Sequence, residues 1–411
     1  MSLFTDLSGV NSAQTDIDTV GNNIANVNTD GFKLSDAQFA AIYGNAVTTA
    51  PGQGVTTASL AQSFAEGTIS QTGNPLDVAI DGQGFFQLQS GSGVVYSRDG
   101  SFHLDSGGHL VNTAGAEVLG FSAAAASGTS GTNSGSLQPI LVDQANIAAV
   151  ATSTLTLGVN LPTSDGPIDT TAHPFSVTDP KSYNESTTTT VYDSLGASET
   201  LTTYFTQASG SGTPDQWQTH WTLTSSSGTS VASGAGATLT FNSSGQLTSG
   251  SGTISVAKLP DGAAALNIAE SFTGSTLSGL PFGVNSVANN GTGGGELTGV
   301  QIAANGTVSG QYSNGGTKVF GTIALANFVN PQGLAPMTGN VWAATAASGM
   351  PATGAPGTAA LGELQTGALE GSNVDLSTQL VNLIVAQQAY QANVQSINIE
   401  QQNFQRLLTI Q

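Results

Sequence analysis

Four histidines, 26 acidic residues and several glycine-rich turns are the groups in this 411-residue chain that could do chemistry. A metal centre needs convergent ligands. His103 and His109 come nearest to that, on one expected hairpin with Asp105 between them, but no third ligand stands at a telling spacing. His173 and His220 stand alone, so all four histidines read as surface or turn residues. Asp193-Ser194-Leu195-Gly196 reads as a turn and not a calcium loop, because the spaced acidic ligands are missing. Gly82-Gln83-Gly84-Phe85 pairs two glycines, yet no helix pattern follows and the rest of a dinucleotide fingerprint is absent. There is no Gly-x-Ser-x-Gly elbow and no phosphate-binding loop. The carboxylates lie mostly beside Gly, Ser or Asn in expected turns, where they serve solubility. A glycosidase pair can be distant in sequence, so carboxylates alone leave that class open, but no motif supports it. Zero cysteine removes disulfides, thiol catalysis and thiolate metal sites. The expectation is no enzyme, no metal and no cofactor.

The charge balance narrows the partners. Formal net charge is −20, and the six cations (Lys33, Arg98, Lys181, Lys258, Lys318, Arg406) are scattered singly. A nucleic-acid face needs clustered Lys and Arg, so nucleic acid is excluded, and an anionic membrane surface is disfavoured for the same reason. No run approaches the ~18 apolar residues of a spanning helix, so no membrane insertion is expected. MSLFTDLSGV has neither a basic start nor a long apolar core, so it does not read as a cleavable signal.

With little chemistry to position, the elements themselves carry the message. Leu3, Leu7, Val10, Ala13, Ile17, Val20, Ile24 and Val27 recur mostly at threes and fours, which predicts one seam of a helix. Asn28-Thr29-Asp30-Gly31 is its stop signal. At the other end Leu376, Leu380, Leu383, Gln387, Tyr390, Val394, Ile397, Gln401, Phe404 and Leu408 recur at strict four-three spacing, after capping side chains at 372–375. Neither stripe can be buried alone, and the simplest partner for each is the other. Between them, short apolar runs separated by Asp81-Gly82, Asp99-Gly100 and Gly107-Gly108 predict strands and hairpin-type turns. Further strand signals run from Thr188 to Phe241 and from Val300 to Phe328, and Ser225 to Gly236 reads as a low-complexity loop. Helix patterns do not alternate with the strands, which argues against a parallel α/β sheet.

Several longer segments carry a family resemblance. Residues 21–33, GNNIANVNTDGFK, resemble the signature closing the first helix of flagellar rod, hook and hook-associated proteins, through Asn22, Asn23, Asn26, Asn28, Gly31 and Phe32. Residues 74–86, NPLDVAIDGQGFF, resemble the opening of that family's first β-domain, and 96–102 and 118–121 continue it. Residues 367–376, with Asn373 and Asp375, and 385–393 resemble its C-terminal motif. The insert at 174–196 and the return segments at 325–328 and 340–345 resemble hook members more than the shorter rod members.

The resemblance implies a fold that is mainly β with α-helical termini. The N- and C-terminal helices pair as a coiled coil, followed outward by two β-rich domains, the outer inserted in the inner. The expected boundaries are 1–30 and 372–411 for the coiled coil, 31–72 for a linker, 73–146 and 291–371 for the inner domain, and 147–290 for the outer. It implies a structural subunit that polymerises into a curved, flexible tube transmitting torque from rod to filament. The implied partners are further copies of the chain, the distal rod, hook cap and hook–filament junction proteins, and the flagellar type III export apparatus. The implied location is extracellular, in the hook, reached without a cleaved signal peptide. The alternatives are a distal rod subunit of the same family and an adhesin-like secreted β-protein. Some relatives crosslink subunits through a cysteine-derived bond, and the lack of cysteine closes that route here.

Overall fold

The computed structural model describes residues 3–43, 52–91, 93–123, 136–208, 216–259 and 261–408. The side chains of Leu3 and Leu408 fall outside that description. The fold is mainly β with a long helix at each end: α1 (Leu3–Ala25) and α2 (Leu376–Leu408). The two helices pack together. No helix among the described residues is long and apolar enough to cross a membrane.

The contacts of the chain divide into two compact units. The first takes residues 1–144, 299–310 and 318–411; the second takes 145–298 and 311–317.

In the first unit, residues 31–72 do more than link. Strands Ser35–Ala41 and Val55–Gln62 form an antiparallel ribbon beside α1. Beyond it, Phe85–Ser90, Gly93–Ser97 and Glu117–Ser122 build the heart of a sheet, joined by the returning strands Thr317–Ile323, Leu325–Asn327 and Val341–Ala343. Its core stacks Phe85, Tyr96, Phe328 and Trp342 edge to face, with Phe64 against them. Such pairs add about 0.5–1.5 kcal/mol each beyond area burial.

Two of the expected hairpin turns have a different job. Val78–Asp81 pairs with Glu363–Thr366, and Gly93–Ser97 pairs with Phe85–Ser90 and Val341–Ala343. Asp81-Gly82 and Asp99-Gly100 therefore turn the chain toward a new neighbour and do not close hairpins. Distant returning strands outcompete the local pairing because they bring buried apolar faces with them. Gly107-Gly108 does sit in a hairpin, between Phe102–Leu104 and Leu110–Asn112.

The second unit is a sandwich. One sheet orders Glu185–Tyr192, Ser198–Gln207, Gln216–Thr224, Ser230–Phe241 and Leu247–Ser249, antiparallel throughout. The other centres on Thr154–Pro162, flanked by Leu266–Ser271, Thr276–Ser278 and Gly283–Asn289. Alternate residues point inward, as period-two strands require. They form one cluster around Leu155, Leu201, Trp221 and Ile268, and another around Leu157, Phe205, Trp217 and Phe272.

Here one expectation fails. Most of the expected loop 225–236 belongs to the long strand Ser230–Phe241. Its glycines and serines looked unfit for a strand. Gly234 lies under the Trp221 ring, where a Cβ would come within 2.8 Å of Cζ2, and Trp221 Nε1–H donates to the Ala235 carbonyl at 3.2 Å. Small residues are needed there because a large aromatic covers them.

Candidate assembly interface

The helix pair is built from residues that a search for apolar seams passes over. Asn393 on α2 packs on Gly9 of α1, and Gln379 Oε1 accepts from Asn23 Nδ2 at 3.3 Å. Rising numbers on α1 match falling numbers on α2, so the pair is antiparallel. The row of α2 turned toward α1 runs Gln379, Leu383, Ala386, Tyr390, Asn393, Ile397, all buried or half-buried. It shares Leu383, Tyr390 and Ile397 with the expected seam. Leu376, Leu380, Gln387 and Phe404 lie exposed instead, and Val394 is half-buried.

On α1, Ala13 and Val20 are buried, and Val10, Ile17 and Ile24 are half-buried; Val27, expected on the same seam, is half-buried in the turn after the helix ends at Ala25. Leu7 is exposed, as is Phe4 at 80%. At Gly9 the helices approach so closely that a Cβ would meet Asn393 at 2.8 Å, and the small Ala386 is buried in the same row of α2. This packing leaves an apolar stripe facing out: Leu376, Leu380, Val381, Ile384 and Val385, each more than 40% exposed.

The motif residues divide into those that work inside the chain and those that do not. Asn23, buried, accepts from the Ser35 N–H (3.0 Å) and donates to the Ser35 carbonyl (2.7 Å), fixing the turn after α1. Asn26 donates to the Asn22 carbonyl at 2.9 Å and accepts from Thr29 Oγ1. Asn373 accepts from the Leu34 N–H at 2.7 Å and donates to the carbonyls of Ser63 and Ala65. Asp375 caps α2 by accepting from the Thr378 N–H at 2.7 Å. Hydrogen bonds from Thr378 hold the Asp375 pKa below the usual carboxylate range. Phe32 is half-buried. Among the described residues, the exposed side chains of Asn22 and Asn28 make no hydrogen bond within the chain.

Gly31 takes φ +66°, and its N–H donates to the Glu370 carbonyl at 2.6 Å. A Cβ there would lie 2.5 Å from the Asp99 backbone nitrogen, which cannot swing away. Gly31→Ala is expected to destabilise the first unit by about 1–3 kcal/mol, read as a lower urea midpoint at unchanged slope. A midpoint equal to wild type would refute the strain argument.

Beneath these motifs lies a charged core that sequence reasoning missed. Glu370, on the strand Ala368–Glu370 paired with Ile69–Gln71, is buried. Its Oε1 accepts from Lys33 Nζ at 2.5 Å and from the Gly67 N–H at 2.8 Å, and its Oε2 accepts from Arg98 Nη1 at 3.1 Å. Lys33 also donates to the Ala65 carbonyl at 2.8 Å, and Arg98 to the Gly82 carbonyl at 2.7 Å. Burial pulls the Lys33 pKa down, and the attraction of Glu370 opposes that pull. The trio ties the turn after α1, the first β-domain and the approach to α2 into one knot. A signal was present: two of only six cations sit inside the resembling segments.

Comparison with known proteins follows this layout. Family models match residues 3–33 (flagella basal body rod protein), 79–164 (flagellar hook protein FlgE/F/G D1 domain), 160–292 (flagellar basal body protein FlaE D2 domain) and 365–410 (flagellar basal body rod FlgEFG protein C-terminal). The flagellar hook protein FlgE of Salmonella typhimurium strain LT2 is 40% identical over 416 residues, covering 100% of both chains. The chain belongs to the flagellar hook protein family.

Other hook proteins align as fully. FlgE of Escherichia coli K12 is 40% identical over 98% of each chain, and FlgE of Treponema pallidum strain Nichols is 30% identical over 96% of each. The crystal structure of Helicobacter pylori flagellar hook protein FlgE2 shares the fold at TM-score 0.54 and 15% identity, covering 73% of this chain and 100% of that one. This hook-family chain is a non-enzymatic structural protein of the bacterial flagellum that assembles with copies of itself. Full-length matches to hook proteins favour hook over rod, and the adhesin reading gains no support.

Proposed function

We propose that this chain builds the flagellar hook by burying, between neighbouring copies, the apolar stripe that its own helix pair leaves outside. The observation that carries this is the row Leu376, Leu380, Val381, Ile384, Val385 on α2, with Leu7 and Phe4 exposed on α1. Large apolar groups clustered on one face mark an interaction surface. Phe39 on the ribbon lines the same groove as Val385 and extends it, and Tyr43 and Leu60 are exposed on and beside the ribbon. Asn22 and Asn28, idle within the chain, supply polar contacts to the next copy.

In this reading segments 1–30 and 372–411 form the inner wall, 31–72 connects it to the inner β-domain of 73–146 and 291–371, and 147–290 forms the outer domain. The tube acts as a universal joint between distal rod and filament. Its ends meet the distal rod, the hook cap and the hook–filament junction proteins. The subunit reaches the cell exterior through the flagellar type III apparatus.

Leu380→Glu combined with Ile384→Glu is expected to abolish tube formation seen by negative-stain electron microscopy, with the monomer's thermal unfolding shifted only slightly. Tubes of wild-type yield from the double variant would overturn the interface. Loss of monomer folding would place the stripe in the fold and overturn it equally.

A further inference from the structure

Three carboxylates converge at one end of the sandwich in the second unit. Asp193 follows the strand Glu185–Tyr192, Glu199 is the second residue of Ser198–Gln207, and Asp261 lies in the loop after Leu259. One oxygen from each lies within 4.8 Å of the others. Asp193 is 0% exposed and Glu199 3%, while Asp261 is exposed to solvent.

Glu199 occupies the inward row of its strand with Leu201, Thr203 and Phe205, where an apolar residue belongs. Asp193 Oδ1 is satisfied by the N–H groups of Leu195 and Ala197, both at 2.9 Å, and so forms the turn. Glu199 Oε2 is buried without a partner, and Asp193 Oδ2 is buried with no N–H or hydroxyl donor; the Asp261 carboxylate beside Asp193 can be met only through a shared proton or a bound cation. Among the described residues, no Lys, Arg or His forms an ion pair with any of the three. Burial, then Asp193 and Asp261, push the Glu199 pKa up. A buried anion is costly unless a cation or hydrogen-bond donors compensate it.

The surroundings are built and not loose. Ser194 Oγ accepts from the Ala264 N–H at 2.9 Å, tying the 261–264 loop to the turn. Asp261 Oδ1 accepts from the Ala263 N–H at 3.1 Å. Leu259, just before the loop, is buried in the apolar cluster with Val191 and Leu201.

We propose that Asp193 Oδ2, Glu199 and Asp261 bind a calcium ion that pins this loop to the sandwich. Calcium takes oxygen ligands at about 2.3–2.6 Å, so oxygens on opposite sides of the ion stand about 5 Å apart. Oxygens that all lie within 4.8 Å of one another admit that span. Magnesium dehydrates reluctantly and is usually held by only one or two carboxylates, whereas three converge here. Water completes the shell on the open side, beside Asp261. The sequence hid the site because the turn supplies one ligand, a strand the second and a loop far along the chain the third.

The test uses the full chain freed of metal with a chelator, then dialysed against labelled calcium while thermal unfolding is followed. One calcium per chain is expected, with Kd on the order of 0.1–1 mM and an upward shift of the melting temperature. Asp261→Asn, at an exposed position, should keep the fold and weaken binding at least about tenfold. Glu199→Gln should abolish binding and raise the metal-free melting temperature, because it removes a buried charge. Asp179→Asn, elsewhere in the unit, should bind as wild type. No saturable binding up to about 10 mM, or equal affinity in Asp261→Asn, would overturn the proposal. So would a wild type indifferent to calcium whose Glu199→Gln variant is stabilised, since a proton shared between Asp193 and Asp261 would then account for the cluster.

Discussion

Glu370→Ala is expected to destabilise the first unit by about 3–5 kcal/mol, because it leaves Lys33 and Arg98 buried with no counter-charge. The loss exceeds that of a surface ion pair, worth about 1 kcal/mol or less, because water cannot reach the stranded cations. Side-chain exposure is 0% for Lys33 and 4% for Arg98. The Gly67 N–H would be orphaned as well. Urea unfolding of the full chain, followed at peptides 65–100 by hydrogen exchange, reads the effect. Replacing Lys33 and Arg98 by Met in the same variant should recover part of the loss. Recovery stays partial because the Ala65, Ile80 and Gly82 carbonyls lose their donors. A Glu370→Ala chain within about 0.5 kcal/mol of wild type would show that the knot contributes nothing net.

The second large effect is a pH dependence in the other unit. Glu270 lies on the inward face of Leu266–Ser271, 2% exposed, and its Oε1 has no partner. Burial pushes its pKa from the ordinary 4.5 up to about 7. Between those values the folded chain holds a proton that the unfolded chain has released, so stability falls as pH rises. The contribution is fully present below about pH 4.5, is lost as pH climbs through about 7, and amounts to about 3 kcal/mol. The raised pKa values of Glu199 and Asp165 add slope of the same sign. Glu270→Gln isolates the main contribution. It should protect amides of 266–271 more strongly than wild type at pH 8 and equally at pH 4.5. A wild-type slope retained in the variant would place the titration elsewhere.

Both effects come from charges inside apolar surroundings, and neither the burial nor the pairing of those charges was legible in the sequence. A glutamate in a strand looks the same whether its side faces water or core. Glu270 is followed by Ser271 and sits between turns, a context that reads as surface. Only the opposite sheet decides that it faces inward. The same holds for Lys33, which looked like one of six scattered cations until strand pairing carried Glu370 to it.

The sequence by itself determined what repeats locally. Heptad spacing announced both terminal helices, Asn28 to Gly31 announced a break after the first one, which ends three residues earlier at Ala25, and Gly107-Gly108 announced a hairpin. Helix periodicity and turn chemistry are properties of a few adjacent residues, so a few adjacent residues reveal them. The motif asparagines were legible as important, though not as the clasps that Asn23 and Asn373 form across the chain.

Tertiary structure alone decided which face of α2 turns inward, which turns leave hairpins unclosed, and which charges lose their water. Each is a competition among partners distant in sequence. The row of α2 through Gln379, Ala386 and Asn393 turns inward and leaves Leu376 and Leu380 exposed, and at Gly9 the close approach of Asn393 leaves no room for a Cβ. Asp193 met Glu199 and Asp261 because strand register and a loop placed them together. Periodicity names a stripe, but the shape of the opposing surface chooses whether that stripe is buried within the chain or left for the next copy.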